Sequence, residues 1–448
     1  MPSLTSSASS SRTPGSRRRR RGPSRPFAPI AAPEPLAGSR HLYVHLPFCS
    51  HRCGYCDFVT AVGQTAEHGP YVDAVIAELD RERHHLAPEL DTVFVGGGTP
   101  TYTEPAALAR LLAALPSARE TTVEANPETV TPALARSLRK AGVTRVSLGA
   151  QSFQPRLLAV LDRAAGPDDV RQAVHTLCDA CIDNVSLDLV YGIPGQEPAD
   201  LEADLVEALA LRPDHLSCYE LEAKPGTRFT HRWGEELGRQ AEAMEGYFEQ
   251  VVDRLTGAGY RWYETASFCL DGSPDGVDLR AQHNLGYWRG RTYLGIGVGA
   301  VSTIDGGASV GSGEGANVVP PGSSDGPAVR RRNLPSVARY VSALREGVEP
   351  PRELEELDGR TRRVERLMLG LRLDEWLSLD GLGDVVDRAS LRRLVGLGLI
   401  ELRPTEASPD GQPASQPTAG DRATGEAIRL TRRGRFLGSA VTAELLDT

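Results

Sequence analysis

The sequence has no long apolar run, and we expect no secretory leader. No stretch of about 18 apolar residues occurs in the chain, so we expect no membrane-spanning helix. Only seven of the 448 residues are cysteine, and we expect no signal peptide before them. A disulfide framework is therefore not expected, and a reducing, cytoplasmic compartment is predicted.

Acidic residues are missing from the start of the chain. Residues 1–33 hold seven arginines, and the first acid is Glu34. This Ser-, Pro- and Arg-rich composition predicts a disordered extension over residues 1–38. A transit peptide is the alternative, although the segment lacks an apolar helical face. Because the net charge of the whole chain is −9, the remaining body is strongly acidic, which argues against nucleic acid as its main partner.

Between residues 39 and 270, short β-rich runs alternate with amphipathic runs such as Tyr71–Arg83. Six strand–helix units predict an α/β fold with a parallel sheet, because parallel strands need crossover helices. Six units do not close an eight-stranded barrel, so we expect an open, partial (βα)6 TIM-like barrel with its chemistry at the C-terminal strand ends. The predicted strands are His41–Leu46, Thr92–Val95, Thr121–Glu124, Thr144–Leu148, Asn184–Leu189 and His215–Tyr219.

Residues 271–448 predict a C-terminal accessory domain. Gly- and Ser-rich inserts near residues 304–327 and 404–426 have little to bury and predict disordered loops. Helices are expected over Leu334–Leu344 and Arg360–Leu373. The final segment predicts a helix, two strands and another helix, an order that suits a winged-helix-like module.

Three cysteines, Cys49, Cys53 and Cys56, fall within eight positions directly after a predicted strand. Thiolates are the soft ligands that iron–sulfur clusters need. A [4Fe–4S] cluster held by three thiolates has one iron left to chelate a small molecule. The alternative is a zinc site with His45 or His51 as the fourth ligand.

The cysteine motif is one of an ordered set. The others are Gly96–Thr101 (GGGTPT), Glu124–Pro127 (EANP), Ser147–Gln151 (SLGAQ), Asp188–Gly195 (DLVYGIPG) and His283–Trp288 (HNLGYW). Over roughly residues 41–440, the set resembles the oxygen-independent coproporphyrinogen oxidase-like family of the radical S-adenosylmethionine (SAM) superfamily. The resemblance implies a [4Fe–4S] cluster on the three cysteines and SAM as a second cofactor.

The resemblance also implies where SAM lies. Side-chain-free backbone at the glycine run lets SAM's amino acid end approach closely. At the strand ends, Glu124 or Asp188 would hold ribose hydroxyls, and Arg163 would hold the SAM carboxylate. The SAM-site residues that the resemblance implies are Tyr43, Tyr55, Gly97, Gly98, Thr99, Glu124, Gln151, Arg163 and Asp188.

Phe58 separates two branches of the family. The oxidase branch has a fourth cysteine there, so Phe58 places the chain with the heme-chaperone branch. In that branch the HNLGYW block is associated with heme, which makes His283 the heme-ligand candidate, since imidazole is a common axial ligand of heme iron. A structural histidine is the alternative. The chain departs from the pattern at Val301 and Ala164, where relatives have histidine.

The resemblance favours a heme chaperone that binds heme and a SAM-capped cluster and passes heme to an acceptor hemoprotein, for example a respiratory one. No catalytic residue is assigned. One alternative is an oxidoreductase that, with an electron donor, cleaves SAM to a radical and acts on a propionate of coproporphyrinogen III. Another is a zinc-stabilised binding module.

Overall fold

The computed structural model describes residues 38–224, 228–272, 276–305, 327–404 and 425–446. The extension predicted over residues 1–38 and the inserts predicted near 304–327 and 404–426 lie almost entirely outside these ranges. Within them, no helix is both long enough and apolar enough to cross a membrane.

Helices and strands alternate along most of the described chain. The strands are β1 (His41–Leu46), β2 (Phe48–Cys49), β3 (Ala61–Val62), β4 (Leu90–Gly97), β5 (Ala118–Ala125), β6 (Arg145–Gln151), β7 (Asn184–Tyr191), β8 (His215–Glu220), β9 (Tyr260–Trp262), β10 (Ser267–Leu270), β11 (Leu294–Ile296), β12 (Val301–Asp305), β13 (Ala328–Asn333), β14 (Arg352–Leu357), β15 (Leu377–Ser378), β16 (Ile400–Pro404) and β17 (Glu426–Leu430). The helices are α1 (His68–Glu82), α2 (Pro105–Ala114), α3 (Pro132–Lys140), α4 (Pro155–Val160), α5 (Pro167–Asp179), α6 (Pro198–Ala210), α7 (Arg228–Gly257), α8 (Gln282–Trp288), α9 (Val337–Arg345), α10 (Gly359–Gly370), α11 (Arg388–Gly396), α12 (Arg432–Phe436) and α13 (Gly438–Leu445).

The core is a sheet in the order β11-β1-β4-β5-β6-β7-β8-β10-β9. From β1 to β8 its strands run parallel and in sequence order, as the alternation predicted. The open α/β barrel is therefore confirmed. Within residues 260–270, the β9–β10 hairpin pairs antiparallel with β8, and after residue 270 β11 adds to the free edge of β1. The core sheet thus includes one strand from beyond residue 270, and the division of the chain at residue 270 stays a prediction.

Proline begins five of the helices of the barrel. Pro105, Pro132, Pro155, Pro167 and Pro198 occupy the first turns of α2 to α6. Proline suits this position because the N–H that it lacks would have no partner within the helix. These helices return the chain to the start of the next strand, so the carboxyl ends of β4 to β7 meet at one edge of the barrel.

Helices cover the strands on their outer side, and the barrel wall is an apolar layer. Leu42, Val44 and Leu46 of β1 are 0% exposed. They share one apolar cluster with Tyr71 and Val75 of α1. The barrel wall therefore gives the strand ends a rigid support.

Residues 359–446, without the undescribed 405–424, form what we call the C-terminal module. It consists of α10 to α13 and a three-stranded antiparallel sheet in the order β15-β17-β16. Leu367, Leu391, Ile428 and Leu445 belong to an apolar cluster of its own. The order α11, β16, β17, α12 matches the predicted winged-helix-like arrangement. Another antiparallel sheet, β12-β13-β14, lies between barrel and module in the sequence.

Ion pairs fasten the C-terminal module to the barrel. Asp374 accepts two hydrogen bonds from the guanidinium of Arg261, at 2.7 and 2.8 Å. Glu375 pairs with Arg280 and with Arg289, the latter at 2.7 Å. Because Arg280 and Glu375 are largely buried, these contacts fix the module against the sheet.

Candidate functional site

We call residues 47–61 the cysteine loop. It begins at Pro47, directly after the carboxyl end of β1, and contains the three predicted thiols. Cys49 is buried at the end of β2, while Cys53 and Cys56 are half-buried. The loop is closed by pairing of β2 with β3 and by the N–H of Ala61, which donates to the carbonyl of Pro47 at 2.7 Å. All three thiols line one cavity.

This donor set fits a cluster better than a single ion. Across the described ranges, no three His, Cys, Asp or Glu side chains are placed to hold one metal ion. Zinc needs four ligands that converge on one point, whereas a cubane binds each thiolate at a different iron. His45 has both ring nitrogens engaged, by the hydroxyl of Tyr43 at 3.0 Å and the carbonyl of Val59 at 2.9 Å. His51 contacts the carbonyl of Asp162 at 2.9 Å.

The glycine run at the end of β4 packs directly against the cysteine loop. Gly97 has a φ of +122°, a conformation that disfavours side chains. A Cβ atom there would lie 2.6 Å from the carbonyl oxygen of Leu46, and one at Gly98 would lie 2.7 Å from the sulfur of Cys49. Glycine is therefore required by the contact between strand and loop, whether or not SAM is bound.

Two carboxyl groups lie on the cavity wall, on strands β5 and β7, which β6 separates in the sheet. Glu124 of β5 accepts a hydrogen bond from the N–H of Gly97 at 3.1 Å. Asp188 of β7 accepts one from the hydroxyl of Ser147 at 2.9 Å. Burial, and secondly the charge of Asp188, raises the pKa of Glu124 to about 7. Burial also raises the pKa of Asp188. The pair places acceptor oxygens on the cavity wall, and its role in holding ligand hydroxyls stays a prediction.

Arg163 ties the strand ends to the cysteine loop. Its Nη2 atom donates to the carbonyl of Gly149 at 2.6 Å and to the side chain of Asn126 at 3.1 Å, and its Nη1 atom lies 3.6 Å from the sulfur of Cys53. Its buried Nε atom has no hydrogen-bond partner among the described residues. Arg163 is therefore held in place, and its Nε–H remains available to donate a hydrogen bond to an anion.

Gln151 ends β6 beside a register shift in the pairing of β6 with β7, and its φ is +66°. Positive φ is uncommon for residues other than glycine and clusters at functional sites. Gln151, Tyr55 and Thr99 all line the cavity. Thr99 also lies 3.5 Å from the sulfur of Cys49.

Tyr43 is the predicted SAM-site residue that is absent from the described cavity lining. Its hydroxyl contacts the ring of His45, and its own ring stacks on Phe94 with centroids 6.0 Å apart. The structure thus places Tyr43 among ring side chains of the barrel and brings the other residues predicted for SAM into one cavity with the three cysteines.

His283 lies at the other end of the barrel. Its Nδ1 atom contacts the hydroxyl of Thr92 at 2.7 Å, where β4 pairs with the first residue of β1. Its Nε2 atom contacts the hydroxyl of Tyr287 at 2.9 Å, and the residue is 1% exposed. Neither ring nitrogen is free in this arrangement. The heme-ligand role of His283 stays a prediction, and the geometry favours the alternative of a structural histidine.

The cavity reaches from the cysteine loop to the C-terminal module. Its volume is about 1260 Å³, and a pocket for one drug-sized ligand measures roughly 300–1,000 Å³. There is accordingly room for a second ligand beside SAM. The lining on the side of α7, β9 and the C-terminal module includes Met244, Phe248, Trp262, Arg372, Arg435 and Phe436.

Sequence reasoning missed several of these residues. Asn126 donates to Thr99 at 3.1 Å besides accepting from Arg163, and its place in the EANP motif was the available signal. Trp262, Arg435 and Phe436 belong to no recognised motif, so no local pattern indicated them. Val301 starts β12 and is likewise absent from the described cavity lining.

Known proteins are similar to this chain over most of its length. The family model for the Radical SAM superfamily matches residues 43–208. A heme chaperone HemW of Mycobacterium tuberculosis (strain CDC 1551 / Oshkosh) is 33% identical over 434 residues, covering 94% of this chain and 98% of that protein. Heme chaperone HemW of Escherichia coli (strain K12) is 38% identical over 267 residues, covering 58% and 68%.

A solved structure shares the architecture. Coproporphyrinogen III oxidase from Escherichia coli, described as a radical SAM enzyme, superimposes with a TM-score of 0.66 at 19% identity. The match covers 92% of this chain and 91% of that one. At this identity the likeness concerns the fold alone, and it confirms the partial barrel with a C-terminal domain.

Proposed function

The chain belongs to the HemW family of heme chaperones, within the radical SAM superfamily, and on this premise we propose that it binds heme and passes it to an acceptor hemoprotein. Radical SAM membership implies a [4Fe–4S] cluster and SAM. We further propose that Cys49, Cys53 and Cys56 hold that cluster and that SAM caps its remaining iron.

One observation carries the proposal. The three thiols and the polar strand ends line a cavity that continues to the C-terminal module and has room for more than one drug-sized ligand. Small-molecule sites are mostly apolar with a few placed polar groups. This cavity has polar groups at the strand ends and apolar and aromatic side chains at the module, which suits SAM and a tetrapyrrole side by side.

We assign a different role in ligand binding to each group of residues around the proposed cluster. Glu124 and Asp188 would accept hydrogen bonds from ligand hydroxyls, and Arg163 would offer its free Nε–H to a carboxylate. Asn126 and Gly149 fix the Arg163 guanidinium through its Nη2 atom. A bound cluster supplies one electron wherever SAM is cleaved reductively.

The alternative function is oxidation of coproporphyrinogen III at a propionate. Phe58 is 64% exposed on the cavity wall, at the position where the resemblance places a fourth cysteine in the oxidase branch. The cysteine loop therefore lacks that thiol, and we favour the chaperone. Anaerobic incubation with coproporphyrinogen III, SAM and a reductant discriminates, since only the oxidase releases carbon dioxide.

The acceptor, the electron donor and the compartment belong to the proposal as well. We propose a cytoplasmic protein that serves a hemoprotein, for example a respiratory one, and that receives electrons from a separate donor. The HemW name of the relatives supports heme and a hemoprotein in general.

The experiment that tests the function starts from anaerobically reconstituted protein. We expect about four irons and four sulfides per chain, uptake of heme seen by absorption spectroscopy, and transfer of that heme to an apo-hemoprotein such as apomyoglobin. Decarboxylation of coproporphyrinogen III without any heme uptake would overturn the chaperone function in favour of the enzyme.

The cluster assignment has its own test. Cys53→Ser removes a soft ligand from the middle of the loop, so the visible absorbance of the cluster should collapse. Cys178→Ser is the matched control, because Cys178 is exposed and does not line the described cavity. Full iron and sulfide in the Cys53 variant would exclude these ligands.

A further inference from the structure

Where the cavity meets the C-terminal module, cationic and aromatic side chains have no role in the site described so far. We propose that this region holds the macrocycle and a propionate carboxylate of a tetrapyrrole, with Arg435 and Arg372 as the carboxylate anchors. The inference rests on the proposed function, since it assigns a position to the ligand that a heme chaperone carries.

An aromatic cluster forms the wall. Phe248 of α7, Trp262 of β9 and Phe436 of α12 pack together with ring centroids 5.2 to 5.6 Å apart, and all three line the cavity. The indole N–H of Trp262 donates to the carbonyl of Thr265 at 3.1 Å. With that donor engaged inside the protein, the rings present apolar surface, which favours a large flat apolar ligand.

Arg435 of α12 is the principal anchor. Its guanidinium stacks on Trp262 at 3.5 Å from the ring centroid, and its Nη1 atom donates to the carbonyl of Trp262 at 2.7 Å. Its Nη2 atom is buried without a hydrogen-bond partner, and no carboxylate in the described part of the chain forms an ion pair with it. The charges of Asp374 and Glu264 act on Arg435 only from beyond ion-pair distance. Its buried Nη2 donor is left unsatisfied, which is costly, so an anionic ligand group would stabilise it.

The protonation state of Arg435 agrees with this role. Burial lowers the pKa of its guanidinium to about 10, so the group remains cationic at neutral pH. Its planar fork can donate two hydrogen bonds to one carboxylate. Arg435 therefore retains both the charge and the donor that a propionate needs.

Arg372 is the second anchor, following α10 on the cavity wall. Its guanidinium stacks on Trp288 at 4.3 Å, and its Nη2 atom lies 3.6 Å from the carboxylate of Glu264. That separation is too long for a hydrogen bond, and the buried Nε atom has no partner among the described residues. Arg372 is thus partly neutralised and still has a donor available.

A tetrapyrrole with propionates matches this combination better than SAM does. Its macrocycle is apolar, and its carboxylates are flexible side groups. SAM's carboxylate already has a candidate partner in Arg163, which lies against Cys53 at the cysteine loop. Arg435 and Arg372 belong instead to the C-terminal module, so the two ends of the cavity have separate anion-binding groups.

The test compares heme with heme dimethyl ester, in which both propionates are blocked. Binding is measured on full-length, cluster-reconstituted protein. We expect esterification to weaken binding to the wild type, and Arg435→Gln to weaken heme binding about tenfold to a hundredfold, the usual range for a charged hydrogen bond. The ester should bind Arg435→Gln and the wild type equally, and Arg435→Lys should restore part of the heme affinity. Arg433→Gln on the same helix is the control, because Arg433 is exposed and does not line the described cavity.

The outcomes distinguish a failure of the carboxylate site from a failure of the chaperone function. If heme binds and neither esterification nor Arg435→Gln matters, the carboxylate site is wrong and the chaperone function stands. If Arg435→Gln weakens heme and ester equally, Arg435 acts only by packing on Trp262, which also overturns the site. If the wild type binds neither compound, the proposed function fails and the inference fails with it.

Discussion

Gly97 is predicted to contact SAM, and in the structure it also packs against the start of the cysteine loop. From the motif alone, Gly97→Val is expected to weaken SAM binding and to leave the cluster in place. A Cβ atom there would lie 2.6 Å from the carbonyl of Leu46 and 3.0 Å from the ring of His45. We therefore expect the substitution to displace the start of the cysteine loop, with loss of iron and SAM together.

Iron analysis and SAM calorimetry on the Gly97→Val protein check this expectation. Gly246→Val is a suitable control, because a Cβ atom at this exposed position of α7 would meet nothing within 4 Å. A Gly97 variant with a full cluster and weakened SAM binding would support the motif-based expectation instead.

His283 allows a test between a structural and a heme-binding role. Because both ring nitrogens are engaged and the side chain is buried, His283→Ala should cost about 1–3 kcal/mol of stability, the usual penalty for leaving buried hydroxyls unpaired. Chemical denaturation measures the loss, with the exposed His175→Ala as control. We expect the heme spectrum of the folded variant to be unchanged. A shifted spectrum would show that His283 binds iron and that α8 must move to allow it.

Glu124 makes the stability of the cluster-free protein depend on pH. Its pKa rises from 4.5 in the unfolded chain to about 7 in the fold. The unfolded chain therefore releases a proton that the fold retains, and stability falls as pH rises from about 4.5 to about 7. Glu124→Gln should reduce this slope, and thermal unfolding at several pH values measures it. The exposed Glu89→Gln should leave the slope as it is.

At the scale of elements, the sequence predicted the parallel strands well because each is a buried β-rich run followed by an amphipathic helix. β11 was missed, since Leu294–Ile296 is too short to show a period and is defined by its pairing with β1. The β9–β10 hairpin was missed for a similar reason. The strand pattern brought most of the residues predicted for SAM to one cavity, whereas the motifs did not indicate that the side chains of Tyr43 and His283 pack elsewhere in the barrel.

The ion pairs of Glu375 test how the C-terminal module is held. Glu375→Ala would remove the carboxylate that Arg280 and Arg289 share. Arg280 keeps its ion pair with Asp278, so we expect a cost of about 1.5–3 kcal/mol, the range for charged hydrogen bonds. We expect the module to loosen, with faster limited proteolysis near residue 375. Glu349→Ala removes an exposed partner of Arg81 and should change stability by less than about 1 kcal/mol. Equal proteolysis rates in the two variants would show that the ion pairs of Glu375 do not hold the module.

At the scale of the whole molecule, the half of the cavity formed by the cysteine loop could be predicted, and the other half could not. The cysteines proposed to hold the cluster can be recognised by their spacing in the sequence, because three thiols must reach one cubane. Trp262, Arg372 and Arg435 come from separate elements and meet only through the docking of the C-terminal module. Their common function depends on tertiary contacts that no local pattern encodes.

The position of β11 has a consequence for how this chain is made. β1 is the first strand of the core sheet to leave the ribosome, yet one of its edges stays without a neighbour until residues 294–296 have been synthesised. An open strand edge is a template for pairing with other chains. Through most of translation, β1, which leads into the cysteine loop, is therefore paired with β4 but not yet with β11. Nascent chains that stall before residue 296 should aggregate more readily than those that stall after it. Iron is best loaded into the cysteine loop after β11 has paired with β1.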